Sequence, residues 1–121
     1  MDFNANIPIY RQIADFCIAR ILSGAWSPGQ KVPSVREMAI EMTVNTHTVL
    51  KAFDFLQQHQ LIEPHRGMGY FLTEDAQERV DQLRREEFFA QKLPELFSEM
   101  DMLGIDIADI NQYWEERKNS K

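Results

Sequence analysis

A single cysteine, Cys17, occurs in the 121 residues, so neither an intrachain disulfide nor a cysteine-based metal cluster can form within the chain. Ile13, Phe16 and Ile21 surround it in sequence and mark it as a small buried hydrophobe rather than a reactive thiol. No apolar run approaches the roughly 18 residues needed to cross a bilayer. The opening MDFNANIPIY has neither the basic region nor the long apolar stretch of a secretory leader. The expected location is therefore the cytoplasm, with no membrane partner. Catalytic signatures are missing too. His47, His59 and His65 do not fall at HExxH spacing, and there is no GxSxG elbow, P-loop or GxGxxG fingerprint. The carboxylates Glu86, Glu87, Glu95 and Glu99 fit a solvated helix face, and EMDMLG fits interface filler better than a metal box. An enzyme, a bound metal and a cofactor are all unexpected.

Basic side chains are also in short supply, and the net charge is −6. A nucleic-acid partner normally leaves a basic footprint, but here the distribution matters more than the sum. Residues 1–72 carry six basic side chains (Arg11, Arg20, Lys31, Arg36, Lys51, Arg66) against six acidic ones; residues 73–121 carry seven against thirteen. The whole acidic excess lies in the C-terminal part, which leaves local basic positions of the N-terminal part free to meet phosphate. A solvated acidic helix face fits the same distribution.

With 44% apolar and 26% charged residues, the composition is that of an ordinary globular domain. PIYRQIADFCIARILSG predicts a helix of about four turns, opened by Pro8, striped by Ile9, Ile13, Phe16, Cys17 and Ile21, and ended by Gly24. Pro28-Gly29 predicts a turn. Ser34 and Glu37 then form a capping box that opens a short helix running to about Met42. The connection to the next helix is tight, which suggests helix-turn-helix geometry. Asn45 is the expected N-cap of that second helix, accepting the amide of Thr48. Val49, Ala52, Phe53, Leu56 and Gln60 fall on its inner side, and His47, Lys51, Asp54 and Gln58 opposite. Thr46, His47 and Lys51 have no duty in a core; they meet solvent or the groove of a duplex. LIEPHRGMGYFL predicts two short strands, Leu61 to His65 and Gly69 to Leu72, with Arg66 at the tip of the hairpin.

Residues 8–72, through PIYRQI, PSVRE, VNTHTVLKAF and PHRGMGYFL, resemble the DNA-binding domain of GntR-type bacterial transcription regulators, in their YtrA-like branch. The resemblance implies a mainly α fold with a small β-hairpin, a winged helix-turn-helix over residues 1–72 followed by a helical dimerisation region over 73–121. It implies that Arg36 contacts phosphate or base, that Thr46, His47, Thr48 and Lys51 line the recognition helix, and that Arg66 and Gly67 form the wing contact. With the caps Ser34 and Asn45 these make the expected DNA-binding set. Other branches carry arginines where this chain has Thr46 and Leu50, so their base contacts do not transfer, and a reader with fewer arginines can lean on DNA shape. The implied function is a sequence-specific regulator, a repressor, binding double-stranded DNA; no small-molecule effector is assigned. A protein-interaction module that keeps the winged helix without reading DNA is the second reading. The DNA reading expects Lys51→Ala or Arg66→Ala to weaken binding while leaving stability almost unchanged, whereas the stem of Arg36 can also pack between helices.

Downstream, Thr73 is the expected cap of a helix continuing through Val80, Leu83, Phe89, Leu93, Leu96, Phe97, Met100 and Leu103 to Gly104, kinked or interrupted by Pro94. Asp106 is the expected cap of a last helix bearing Ile107, Ile110 and Trp114. Two apolar stripes in so short a segment cannot bury themselves fully against each other. Phe89, Leu93, Leu96, Phe97, Met100, Leu103, Ile107, Ile110 and Trp114 are therefore the expected dimerisation residues, with a second copy of the chain as partner. Packing of Phe88, Phe89, Leu93 and Phe97 onto their own winged helix is the alternative.

Overall fold

The computed structural model describes residue 3 and residues 5–120; residues 1, 2, 4 and 121, at the outer ends of the two expected segments, lie outside the described residues. The elements are α1 (Ile9–Ser23), α2 (Val35–Met42), α3 (Thr46–Gln58), β1 (Ile62–His65), β2 (Gly69–Leu72), α4 (Ala76–Glu87), a π-helical turn (Phe88–Lys92), α5 (Leu93–Leu103) and α6 (Ile107–Asn119). The chain divides into two compact units, one ending at Leu83 and the other beginning at Arg84.

In the first unit, α1 follows Pro8 and closes at Gly24, whose φ of 83° lets its amide donate to the Ile21 carbonyl. Ile13, Ala14, Cys17, Ile18 and Ile21 are buried. Ile9, expected on the same stripe, is exposed, because it starts the helix a turn ahead of the packed stretch. Ser34 and Glu37 satisfy each other across the start of α2: the Ser34 hydroxyl oxygen accepts the Glu37 amide and the Glu37 carboxylate accepts the Ser34 amide, each at 3.0 Å. The helix-turn-helix bend is made at Thr43, which sits in the left-handed region at φ 55° and costs a β-branched residue about 1–2 kcal/mol. Packing of Val44 against the core offsets that cost.

Val49, Ala52, Phe53 and Leu56 anchor α3 and are wholly buried; a Leu or Phe side chain buried in this way contributes about 1.5–3 kcal/mol. Two expectations for α3 need correction. The Asn45 side chain accepts the amide of His47 at 2.7 Å, not that of Thr48, whose amide goes to the Asn45 backbone carbonyl at 3.0 Å. Gln60 is not on the inner face, because the helix ends at Gln58 and Gln60 turns into the left-handed region at φ 60°, exposed.

β1 and β2 pair antiparallel from Ile62↔Leu72 to His65↔Gly69. The ladder thus starts one residue after the expected Leu61, which is buried in the core instead. The outer edge of β2 has a partner that the sequence did not announce. Lys31 bridges to Phe71, the Val32 amide donates to Tyr70, the Leu72 amide to Gln30 and the Gly29 amide to Leu72. Gly29 suits that place because φ is 76°, a left-handed value that glycine takes without strain. Thr73 caps nothing. Its hydroxyl donates to the carbonyls of Gln60 and Leu61, and α4 begins only at Ala76. Ala76, Val80 and Leu83 join the core of the first unit, so that core runs past the end of the hairpin.

In the second unit the helix is interrupted near Pro94, as expected, but by a π-helical turn that precedes the proline. Leu93 donates its amide to the Phe88 carbonyl, a π-helical turn, and Pro94 lies in the first turn of α5, where a missing amide leaves no bond of that helix unmade. Gly104 closes α5 at φ 67°. Asp106 and Asp109 form a capping box at α6, with bonds of 3.0 and 3.1 Å.

Candidate nucleic-acid interface

Burying one side of α3 forces the other outward. Thr46, His47 and Lys51 are exposed, with Asp54, Gln57 and Gln58 further along, while Thr48 is half-buried at the margin of the core. Lys51 has more structural duty than the sequence suggested. Its ammonium lies 4.6 Å from the centroid of Tyr10, which meets Phe55 edge-on at 6.4 Å, and Arg11 stacks on Phe55 at 4.5 Å. Two touching rings, each covered by a cation, line the outer seam between α1 and α3. Such an interaction is worth about 0.5–1 kcal/mol at an exposed site, so Lys51→Ala perturbs the fold as well as any ligand.

Ser34 and Asn45 both spend side-chain acceptor capacity on helix amides. Each remains able to donate to an anion, Ser34 through its hydroxyl hydrogen and Asn45 through its amide. Between them, Arg36 stands in the first turn of α2, exposed, with no ion pair or hydrogen bond among the described residues. Arg20, by contrast, is taken by Glu41 at 2.8 Å and by the Phe16 ring at 4.5 Å.

At the hairpin tip the Met68 amide donates to His65 at 2.8 Å, closing a turn in which Gly67 takes φ 76°. Arg66, Gly67 and Met68 are exposed, and Arg66 has no partner among the described residues. His65 stacks on Phe71 at 4.0 Å and meets Glu63 at 3.2 Å. The Lys31 stem lies so close to Gly69 that an added Cβ would sit 3.2 Å from its Cε. Sequence reasoning missed Lys31 at the wing and Tyr10 beneath Lys51. Neither has a local signal, since each depends on a partner distant in sequence.

The first unit thus contains the whole expected DNA-binding set, and among the described residues it offers three features with unpaired side chains: the outer first turn of α3, Arg36 and the Arg66 tip. The expected dimerisation residues all lie in the second unit. Phe89, Leu96, Phe97, Leu103, Ile107 and Trp114 are between 42% and 72% exposed, Leu93 and Ile110 are half-buried, and Met100 is already covered at 7%. Arg117 and Lys118 lie over the Trp114 ring at 4.7 and 5.5 Å. Among the described residues there is no His/Cys/Asp/Glu group placed to hold a metal, and no helix is long and apolar enough to cross a membrane.

The sequence profile described as "Bacterial regulatory proteins, gntR family" matches residues 9–72. The chain is similar to the HTH-type transcriptional repressor YtrA of Bacillus subtilis strain 168, 29% identical over 116 residues, which cover 96% of this chain and 88% of that one. Among solved structures, a GntR-family transcriptional regulator from Bacteroides thetaiotaomicron superposes with a TM-score of 0.74 at 33% identity, covering 93% of this chain and 99% of the other. The structure of AraR(DBD) in complex with operator ORR3 superposes with a TM-score of 0.54 at 29% identity, covering 60% of this chain and 86% of that one.

Proposed function

Because the chain belongs to the gntR family of bacterial regulatory proteins, in its YtrA-like branch, and is a DNA-binding transcription regulator rather than an enzyme, we propose how it engages its operator. Residues 1–72 bind DNA. α3 enters the major groove with Thr46, His47, Thr48 and Lys51, while Ser34, Arg36 and Asn45 hold the adjoining backbone and Arg66 and Gly67 form the wing contact, Arg66 meeting a phosphate at the edge of the neighbouring minor groove. Residues 73–121 join two copies through Phe89, Leu93, Leu96, Phe97, Met100, Leu103, Ile107, Ile110 and Trp114. Two copies place their α3 helices about one helical turn apart, roughly 10 base pairs, on a near-palindromic site. Occupying that site in the cytoplasm, the dimer represses transcription, as the similarity to the YtrA repressor suggests.

One observation carries the reading: α3 is anchored by four wholly buried side chains, while its outer first turn, Arg36 and Arg66 are exposed. Packing accounts for the inside of this helix and, through Tyr10, for Lys51, but leaves the side chains of Thr46, His47, Arg36 and Arg66 without a partner among the described residues. An electrophoretic mobility shift with the DNA upstream of its own gene, at stated salt, tests it alongside sedimentation at micromolar protein. A saturable shift preferred over unrelated DNA, by a species of twice the chain mass, is expected. Equal affinity for unrelated DNA overturns operator recognition, and a persistent monomer overturns the paired arrangement.

A further inference from the structure

The outer face of α3 lacks the side chain best suited to reading guanine. Its sequence, THTVLKAFDFLQQ, contains no arginine, and the ammonium of its one lysine, Lys51, lies over the Tyr10 ring. Guanine presents two acceptors in the major groove, which arginine or lysine reads by bidentate donation. The first turns of α3 instead offer Thr46, His47 and Leu50. Leu50 is 40% exposed and one turn beyond Thr46, so its isobutyl group and the Thr46 methyl share one strip of the helix. The buried face of α3 is complete without it. An isobutyl group kept in water on this face has one apolar counterpart on the edges of base pairs, the C5-methyl of thymine.

We propose that Leu50 is a specificity-determining residue, contacting a thymine C5-methyl in each half-site, with the Thr46 methyl flanking it. The proposal rests on the operator-reading role of α3 given above. Its strength follows from the size of the group. Burying one methyl-sized increment changes an equilibrium about fourfold, so two half-sites together give about fifteenfold.

The test starts from the tightest duplex selected by the full chain from a random library, remade with uracil at one symmetry-related pair of thymines at a time. Uracil pairs as thymine does and lacks only the C5-methyl. One pair is expected at which the substitution weakens binding about fifteenfold. In Leu50→Ala, shown folded by its thermal melt, the penalty at that pair should shrink to less than about twofold while other positions respond as before. If no thymine pair shows a uracil penalty, or if Leu50→Ala keeps the full penalty, the proposal is overturned. The uracil scan of the unmodified chain needs no variant, so it can still overturn the proposal if the substitution impairs folding; in that case Leu50→Val is used to assign the contact. A selection that enriches no duplex overturns operator reading itself, and this proposal with it.

Discussion

Removing Arg66 should separate binding from folding. The side chain stands at the hairpin tip, exposed and with no partner among the described residues, so Arg66→Ala should shift stability by no more than about 0.5 kcal/mol. That corresponds to about 2–4 °C in Tm for a unit of this size. Binding should respond very differently. Each phosphate that the protein no longer neutralises lowers the slope of log K against log salt by about 0.9, so a dimer deprived of one phosphate at each wing drops by about 1.8. If the two affinities converge near 1 M salt, the deficit is about 60-fold at 0.1 M and about 18-fold at 0.2 M. A single engaged protomer would drop by only about 0.9, or about eightfold at 0.1 M. The slope therefore reports how many wings engage the duplex as well as whether they do. Fluorescence anisotropy with a labelled operator, from about 0.05 to about 0.3 M KCl, reads it directly. An unchanged slope refutes the phosphate role, and a Tm loss well beyond about 4 °C refutes the claim that the tip is structurally idle.

Phe53→Ala empties the centre of the first unit, where the ring is wholly buried and meets Tyr70 edge-on at 5.1 Å; a loss of about 3–5 kcal/mol is expected in urea denaturation, and less than about 1 kcal/mol would mean the core is loosely packed. Gln60→Gly relieves a left-handed residue at φ 60° whose side chain is exposed, and should raise Tm by a few degrees, about 0.5–1 kcal/mol; a fall would show that the side chain has an unseen role. Burial pushes the Cys17 thiol from an ordinary value of 9.0 up to about 12, with the Arg20 charge opposing more weakly. The fold therefore favours the neutral thiol: this stabilisation is fully present below about pH 9 and is lost as pH rises toward 12. At pH near 8 a thiol reagent should label Cys17 only as fast as the chain unfolds, and labelling at the rate of a free thiol would exclude a closed core.

The punctuation of α1, α2 and α3 was legible because it is local. A proline ahead of α1, a glycine after it, Ser34 with Glu37, and Asn45 act within a few residues of themselves, where hydrogen-bond geometry leaves little choice. The spacing of Val49, Ala52, Phe53 and Leu56 likewise told which side of α3 would be covered, so the outward Thr46, His47 and Lys51 could be named in advance. Pro94 announced a break in the second unit, but its form, a π-helical turn over Phe88–Lys92, depends on how the chain absorbs the change of register.

Periodicity can state that a side chain faces outward, but it cannot state what that side chain meets there. Lys51 and Arg66 look alike in sequence; one lies over Tyr10 and the other stands alone at the tip. Lys31 reaches the wing through its bridge to Phe71, and Thr73 turns from an expected cap into a donor to Gln60 and Leu61. Local rules govern the start, stop and inner face of each element because they act through the backbone over one or two turns. Interactions between distant residues arise only after those elements pack, and here they distinguish Lys51, which also serves the fold, from Arg66, which has no partner among the described residues.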